Sequence, residues 1–341
     1  MRLVMMGTGT FAEPTFEALL AAFPGGVVGL VTQPERDAGN KRGSTRQTGK
    51  GMAQIAAARG VAVVQPESIN TPDGVAQLRG LRPDLMVVAA YGQILSKDVL
   101  GVPAVGTINV HASLLPKYRG AAPVAYAILN GEARTGVTII KVTPGLDSGD
   151  MILQDALDIL PDDTTGSLEA RLAVLGARLA VEAVRKYQSG GPVEGVRQDP
   201  ALVTKAPKIK KEFGLIDWSK PADYICRFVR AMQPWPTAYT FLHRPGKEPL
   251  RVIITAADTE GYNLSKPPPE PGQIGEFRLA PRETEGPFPG RRCWLQVSAA
   301  DGGFVLVGEL QPAGKKRMTA EEFLRGHPIT EGMRFGPEVL S

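Results

Sequence analysis

Gly106-Thr-Ile-Asn-Val-His-Ala-Ser-Leu-Leu-Pro-Lys-Tyr-Arg-Gly120 is the stretch around which the rest of the chain is arranged. Ile108 and Val110 alternate with Asn109 and His111, the period of a strand that runs out at a sheet edge. Residues two apart on a strand share a face, so an amide and an imidazole stand side by side where the strand ends. The loop beyond, Ala112 to Gly120, carries Pro116 and Gly120 as breakers and a Ser-Leu-Leu suited to lining a pocket. Open α/β sheets place their chemistry at such carboxyl ends.

The flanking chain supplies the rest of that sheet. Apolar runs alternate with helical stretches: strands over Leu3–Met6, Val27–Val31 and Val61–Val64, helices over Pro14–Phe23, Met52–Arg59 and Asp73–Leu78. This alternation predicts a parallel sheet with crossover helices. Asp84–Tyr91 is the most apolar run and the expected central strand, and Ser167–Tyr187 has helical spacing of Leu168, Leu172, Leu175, Leu179 and Val184. The second half changes character. Short β-rich runs at Arg251–Thr255, Cys293–Val297 and Phe304–Gly308, broken by Pro and Gly, predict a small β-barrel. A catalytic domain over residues 1–189, a basic linker over 190–211 and a barrel domain over 212–341 are the expected divisions.

The 341 residues suit two domains, and 43 % hydrophobic content is ample for two cores. No apolar run is long enough to span a bilayer, and the first residues pass directly into a strand instead of a signal or transit peptide. Two cysteines without CxxC spacing fit a reduced, cytoplasmic setting and do not suggest a zinc site; no metal is expected. The net charge of +4 is unevenly placed. Glu35–Lys50 carries five basic residues against two acidic, and Arg185–Lys211 carries seven against two, so the remaining chain is net acidic. Two basic clusters, in a loop and a linker, point to a polyanionic partner.

Gly7-Thr-Gly-Thr-Phe-Ala12 matches the dinucleotide fingerprint G-x-G-x-x-A, yet the second strand ends Leu30-Val-Thr-Gln33 with no carboxylate before Glu35. A nicotinamide cofactor is therefore not expected, and the glycines read as a tight strand-to-helix turn. His111 is the first half's only histidine, beside Asn109 and a pocket-like loop. Asp147 sits in Pro144-Gly-Leu-Asp-Ser-Gly-Asp150, after the β-rich Gly136–Val142. If that strand is parallel, its end lies beside the end of the Asn109–His111 strand; on spacing alone Asp150 serves equally. Asn, His and Asp without a Ser or Cys nucleophile elbow suggest acyl transfer in which the substrate supplies the nucleophile. Asn109 suits an oxyanion donor, His111 can donate or shuttle a proton, and Asp147 can set a tautomer or order a water. The residues alone do not apportion these roles.

On these motifs the chain resembles the 10-formyltetrahydrofolate-dependent formyltransferases. Ile108-Asn-Val-His-Ala-Ser-Leu-Leu-Pro116 with Arg119-Gly-Ala-Ala-Pro123 is similar to their first signature, and Gly145-Leu-Asp-Ser-Gly-Asp-Met151 to their second. Thr32-Gln-Pro-Glu-Arg36, Ile216-Asp-Trp-Ser219, Gln233-Pro-Trp-Pro236 and Leu310-Gln-Pro-Ala-Gly-Lys-Lys316 resemble stretches of the members that act on methionyl-tRNA. The resemblance implies a Rossmann-like parallel-sheet catalytic domain followed by a smaller OB-like β-barrel domain, and formyl transfer to initiator Met-tRNA. It implies catalytic roles for Asn109, His111 and Asp147 and folate contacts at Ser113, Leu114, Leu115 and Pro116. The pteridine is expected against Val88–Leu95 and Leu114–Pro116. Lys41 and Arg42 of the basic loop, with Lys208 and Lys210 of the linker, are the expected tRNA contacts. A monomer is expected, with no membrane partner. The chain departs from the family at Gly9, where Pro is usual and whose glycine creates the dinucleotide look-alike. It departs again at Asn40, where Arg often follows Ala-Gly, and at Ala112, where Gly or Pro is frequent. Related folate enzymes acting on a glycinamide ribonucleotide or a nucleotide sugar lack the two basic clusters together with the Leu310–Lys316 match. An RNA-binding protein with an inert first domain would have no need of Asn109, His111 and Asp147.

Overall fold

The computed structural model describes residues 1–34, 51–260, 271–279, 293–328, 330 and 332–339. Along the chain run β1 (Leu3–Gly7), α1 (Ala12–Ala22), β2 (Val27–Val31), α2 (Met52–Ala58), β3 (Ala62–Val64), α3 (Pro72–Gly80), β4 (Leu85–Ala89), α4 (Lys97–Leu100) and β5 (Gly106–His111). There follow β6 (Arg119–Gly120), α5 (Pro123–Leu129), β7 (Arg134–Lys141), β8 (Met151–Asp158), α6 (Thr165–Gln188) and β9 (Lys205–Ala206). Two compact units result: residues Met1–Ala127, Glu132–Pro161 and Gly166–Lys208 form one, and Ile128–Gly131, Asp162–Thr165 and Ile209–Ser341 the other.

The first unit is built on a seven-stranded sheet in the order β3-β2-β1-β4-β5-β7-β8. The strands from β1 to β5 are parallel, and the order reverses between β1 and β4. That reversal opens a crevice beyond the carboxyl ends, where this class of sheet binds ligands. Every residue of β1 and β4 is buried, which is why uninterrupted apolar runs occupy the centre. Each large aliphatic side chain placed there contributes roughly 1.5–3 kcal/mol. Val4, Met6, Val31, Met86 and Val88 pack with Ile69, Val75, Leu78 and Val99, the apolar face of α3 and its surroundings. Gly176 of α6 lies against Val110 and Val137, so α6 backs β5 and β7 closely.

One expectation is corrected. β7 runs antiparallel to β5, with Ile108 opposite Lys141 and His111 opposite Thr138. The loop after β7 therefore starts beside Thr107, whose carbonyl accepts from the Val142 amide (2.8 Å), at the end of β5 away from His111. It reaches the site only by folding back along the sheet. β8 is antiparallel to β7 and completes the edge.

The second unit carries α7 (Ala222–Ala231), β10 (Ala238–Arg244), β11 (Lys247–Glu260), β12 (Ile274–Leu279), β13 (Cys293–Ser298), β14 (Phe304–Pro312), β15 (Met318–Thr319), α8 (Ala320–Gly326) and β16 (Arg334–Gly336). Its antiparallel strands run in the order β12-β13-β14-β11-β10-β16, with β15 paired to β14. The outermost strands meet where Gln273 bridges Arg334 and the Phe335 amide donates to Gly272 (2.7 Å), so the sheet curls into a barrel-like form. Closure removes open edges. Trp218 stacks on Phe335 and donates its indole N–H to Thr240 (3.0 Å), filling the interior. α8 starts with a capping box between Thr319 and Glu322. Among the described residues no helix is long and apolar enough to cross a membrane.

Candidate active site

β5 pairs with β4 so that Asn109 lies opposite Val88, which places Asn109 and His111 at the carboxyl ends bordering the crevice. Asn109 is half-buried, and its amide has no hydrogen-bond partner among the described residues. His111 is 5 % exposed and engaged at both ring nitrogens. Nε2 lies 3.0 Å from the Tyr118 carbonyl oxygen, and Nδ1 lies 3.6 Å from Asp147 Oδ2. Burial pushes the imidazole pKa below its usual value; Asp147 and the Tyr118 carbonyl oppose that shift, and Arg119 reinforces it. The ring is therefore neutral near pH 7, with a single proton. Both neighbours only accept; the Tyr118 carbonyl is the one at hydrogen-bond distance, so it takes that proton on Nε2 and leaves the Nδ1 lone pair toward Asp147. The basic nitrogen thus faces the carboxylate that stabilises it once protonated.

Asp147 is fixed as firmly. Its φ of +47° is left-handed, a conformation a non-glycine residue keeps only when its surroundings over-determine it. Oδ2 accepts from the Gly120 amide (2.9 Å), and Gln198 Nε2 donates to the backbone oxygens of Asp147 and Gly149 (both 2.8 Å). Gly149 has no alternative: a Cβ there would sit 1.7 Å from the Lys141 carbonyl oxygen. Gly120, at φ +127°, needs glycine for the same reason, since a Cβ would meet the Ala206 oxygen at 2.4 Å. Tyr118 is also left-handed, at φ +62°, and its side-chain hydroxyl donates to Glu132 (2.7 Å). Its amide donates to Thr204 Oγ1 (2.8 Å).

The Ser113–Pro116 loop is anchored from β7 and β8. Thr138 Oγ1 donates to the Ser113 oxygen (2.6 Å) and accepts from the Leu115 amide (3.1 Å) and Gln154 (2.8 Å), which also donates to the Leu115 oxygen (2.9 Å). Ser113 and Leu115 are buried, and the Ser113 hydroxyl donates to the Lys117 oxygen (2.7 Å). Leu114 and Pro116 are half-buried and present accessible apolar surface. Beyond β4, Ile94 is 78 % exposed, in a loop tied down by Asn70, Gln93 and Gln33.

Asn109, His111 and Asp147 thus come together, and Ser113–Pro116 borders them. Asp150 takes no direct part in the His111 contact. Lys208 and Lys210 are exposed. Lys41 and Arg42 lie outside the described residues. Sequence reading passed over Thr138, Gln154, Gln198 and Thr204. Arg119 was visible within the first signature, but nothing in the composition of the linker singled out Gln198.

The half-buried Asn109 amide, the buried His111 imidazole and the Asp147 carboxylate border the crevice of a Rossmann-like sheet, and the family comparisons set the class of that sheet as formyl-transferring. The chain matches the formyl transferase family over residues 1–184 and the formyl transferase C-terminal domain over residues 208–328. It belongs to the methionyl-tRNA formyltransferase family. The methionyl-tRNA formyltransferase of Geotalea uraniireducens is 42 % identical over 98 % of both chains, and that of Bacillus velezensis is 39 % identical over 97 % of this chain and 96 % of its own. Two solved structures share the fold at low identity. The sugar 3N-formyl transferase WlaRD has a TM-score of 0.62 at 17 % identity and covers 93 % of this chain and 99 % of its own. The N-formyltransferase of Helicobacter canadensis, solved with folinic acid and dTDP-3-aminofucose, has a TM-score of 0.61 at 18 % identity, covering 90 % and 98 %.

Proposed function

We propose that this protein transfers the formyl group of 10-formyltetrahydrofolate to the α-amino group of methionine on initiator Met-tRNA, for the start of protein synthesis. One observation carries the reading: Asn109, His111 and Asp147 meet at one sheet edge, in a chain that aligns almost end to end with methionyl-tRNA formyltransferases.

The aminoacyl α-amino group titrates near ~8, so a usable fraction is uncharged at neutral pH. Its nitrogen attacks the formyl carbon, and the carbonyl electron pair moves onto oxygen. The Asn109 amide donates to that oxyanion, a role open to it because no acceptor among the described residues occupies it. His111 Nδ1 removes the proton from the attached amine, and Asp147 stabilises the imidazolium that forms. Collapse breaks the bond from the formyl carbon to N10 of the folate, and the proton passes from His111 to that nitrogen. The products are formyl-methionyl-tRNA and tetrahydrofolate. Leu114, Pro116 and Ile94 offer accessible apolar surface for the folate ring system, and Ser113 and Leu115 shape the loop from within. Lys41, Arg42, Lys208 and Lys210 are assigned to the tRNA phosphates, and the protein acts as a monomer in the cytoplasm.

The test is incubation with charged initiator tRNA and 10-formyltetrahydrofolate, scored for formyl-methionine. Product dependent on both substrates is expected; no product alongside an active control enzyme would reject the assignment.

A further inference from the structure

We propose that Gln198 is a positioning residue of this site, holding Asp147 against His111 from the chain beyond α6. The role rests on the formyl-transfer reading above. Gln198 is 5 % exposed and uses its whole hydrogen-bonding capacity. Its Nε2 donates to the Asp147 and Gly149 oxygens, and its Oε1 accepts from Arg119 Nε (2.9 Å) and Nη2 (2.7 Å). Carbonyls only accept and a guanidinium only donates, so the partners at both ends fix which way the amide points.

The two pieces it joins are the two that hold the imidazole. Arg119 follows Tyr118, whose oxygen engages His111 Nε2, and precedes Gly120, whose amide binds the Asp147 carboxylate. Gln198 locks that segment to the backbone of the Asp147 loop. The loop needs the lock because it folds back along β5 and carries Asp147 in a left-handed conformation. The segment bearing Gln198 is itself fixed to the first unit. Val196 and Met151 exchange two backbone hydrogen bonds (2.9 and 2.8 Å), and β9 pairs with β6. Gln198 also lies between the two stretches that match the family, residues 1–184 and 208–328. The linker thus completes the active site as well as contributing positive charge.

Two variants test the role against that of a satisfied buried amide with no catalytic consequence. Gln198→Met keeps the length and removes both sets of hydrogen bonds. Gln198→Glu keeps the shape, turns an oxygen without a proton toward two carbonyls, and sets a negative charge beside Arg119. Among the described residues, the charged groups facing the imidazole are Asp147 and Arg119. With Met, Asp147 is released; kcat should fall about 100-fold, the scale of a misplacement near 1 Å. KM for Met-tRNA should hold, and the acid limb of the kcat profile should move to lower pH. With Glu, kcat should fall for the same loss of the donor, and the limb should lie above that of Gln198→Met, because the new carboxylate offsets Arg119 while Asp147 is released in both. Wild-type kcat and limb in both variants would overturn the proposal. So would a loss of kcat that merely parallels a fall in Tm with no movement of the limb. Should Gln198→Met not fold, kcat in Gln198→Glu decides: a loss at unchanged Tm and unchanged KM for Met-tRNA supports the role, and a wild-type kcat overturns it. A wild-type protein that forms no formyl-methionine would reject the assigned reaction instead.

Discussion

Two loops end beside His111, and they are held by different parts of the chain. The Ser113–Lys117 loop is pinned by Thr138 and Gln154, which stand on the next two strands of the same sheet. The 142–150 loop is pinned by Gln198, from beyond the 24-residue helix α6. The first loop draws its support from within its own sheet, and the second from a segment that returns after α6. The site thus needs a segment that neither its motifs nor its own sheet contain.

The comparison separates chemistry from support, and the largest effects should come from the chemistry. Asn109→Ala and His111→Ala should each lower kcat roughly 100- to 1,000-fold, the usual cost of an oxyanion donor or a general base. Both should retain tRNA affinity, measured by filter binding. Equal loss of tRNA binding would show that β5 also serves as the docking surface. Asp147→Asn should cost about 100-fold in kcat. Its sign in pH follows from the imidazole. Burial lowers the His111 pKa and Asp147 raises it, so removing the carboxylate lowers it further. The base then stays unprotonated to lower pH, and the acid limb of the profile moves down; movement upward would show that Asp147 does not face the proton. Thr138→Val removes the hydroxyl that serves Ser113, Leu115 and Gln154 while keeping the shape. Leaving buried groups unpaired should cost about 1–3 kcal/mol, seen as a lower Tm and a higher KM for the folate. An unchanged Tm would mean that Gln154 alone secures the first loop.

Strand alternation was legible in Asn109 and His111 because a period of two survives any tertiary context. The apolar run of β4 marked the sheet centre, and Pro-Gly punctuation marked the change of architecture in the second half. The direction of β7 was not legible. Gly136–Val142 has the same apolar pattern whichever way it runs, and only its partners decide. The Gly-flanked loop offered Asp147 and Asp150 equally, and the resemblance to a known signature chose Asp147; the fold-back that delivers it has no local signal. Gln198 was hidden for a related reason. A buried glutamine is read from its partners, and those lie 49 to 79 residues away.

The smallest predicted effect sharpens the contrast inside the linker itself. Lys208 is exposed and stands ten residues after Gln198, which is buried. If the segment both completes the site and meets the tRNA, its two faces should fail differently. Lys208→Ala removes one solvent-exposed charge and touches nothing that holds His111. Affinity for Met-tRNA should fall only a few-fold at low salt, and the slope of log K against log salt should shrink by about one, as for the loss of one phosphate contact. The kcat at saturating tRNA should not change, because no group near the formyl carbon has moved. Gln198→Met should show the reverse: kcat lost, salt slope kept. A Lys208 variant with lowered kcat would join the basic face to the catalytic geometry. A slope that does not change would take Lys208 out of the tRNA path and leave the charge to its neighbours Lys205, Lys210 and Lys211.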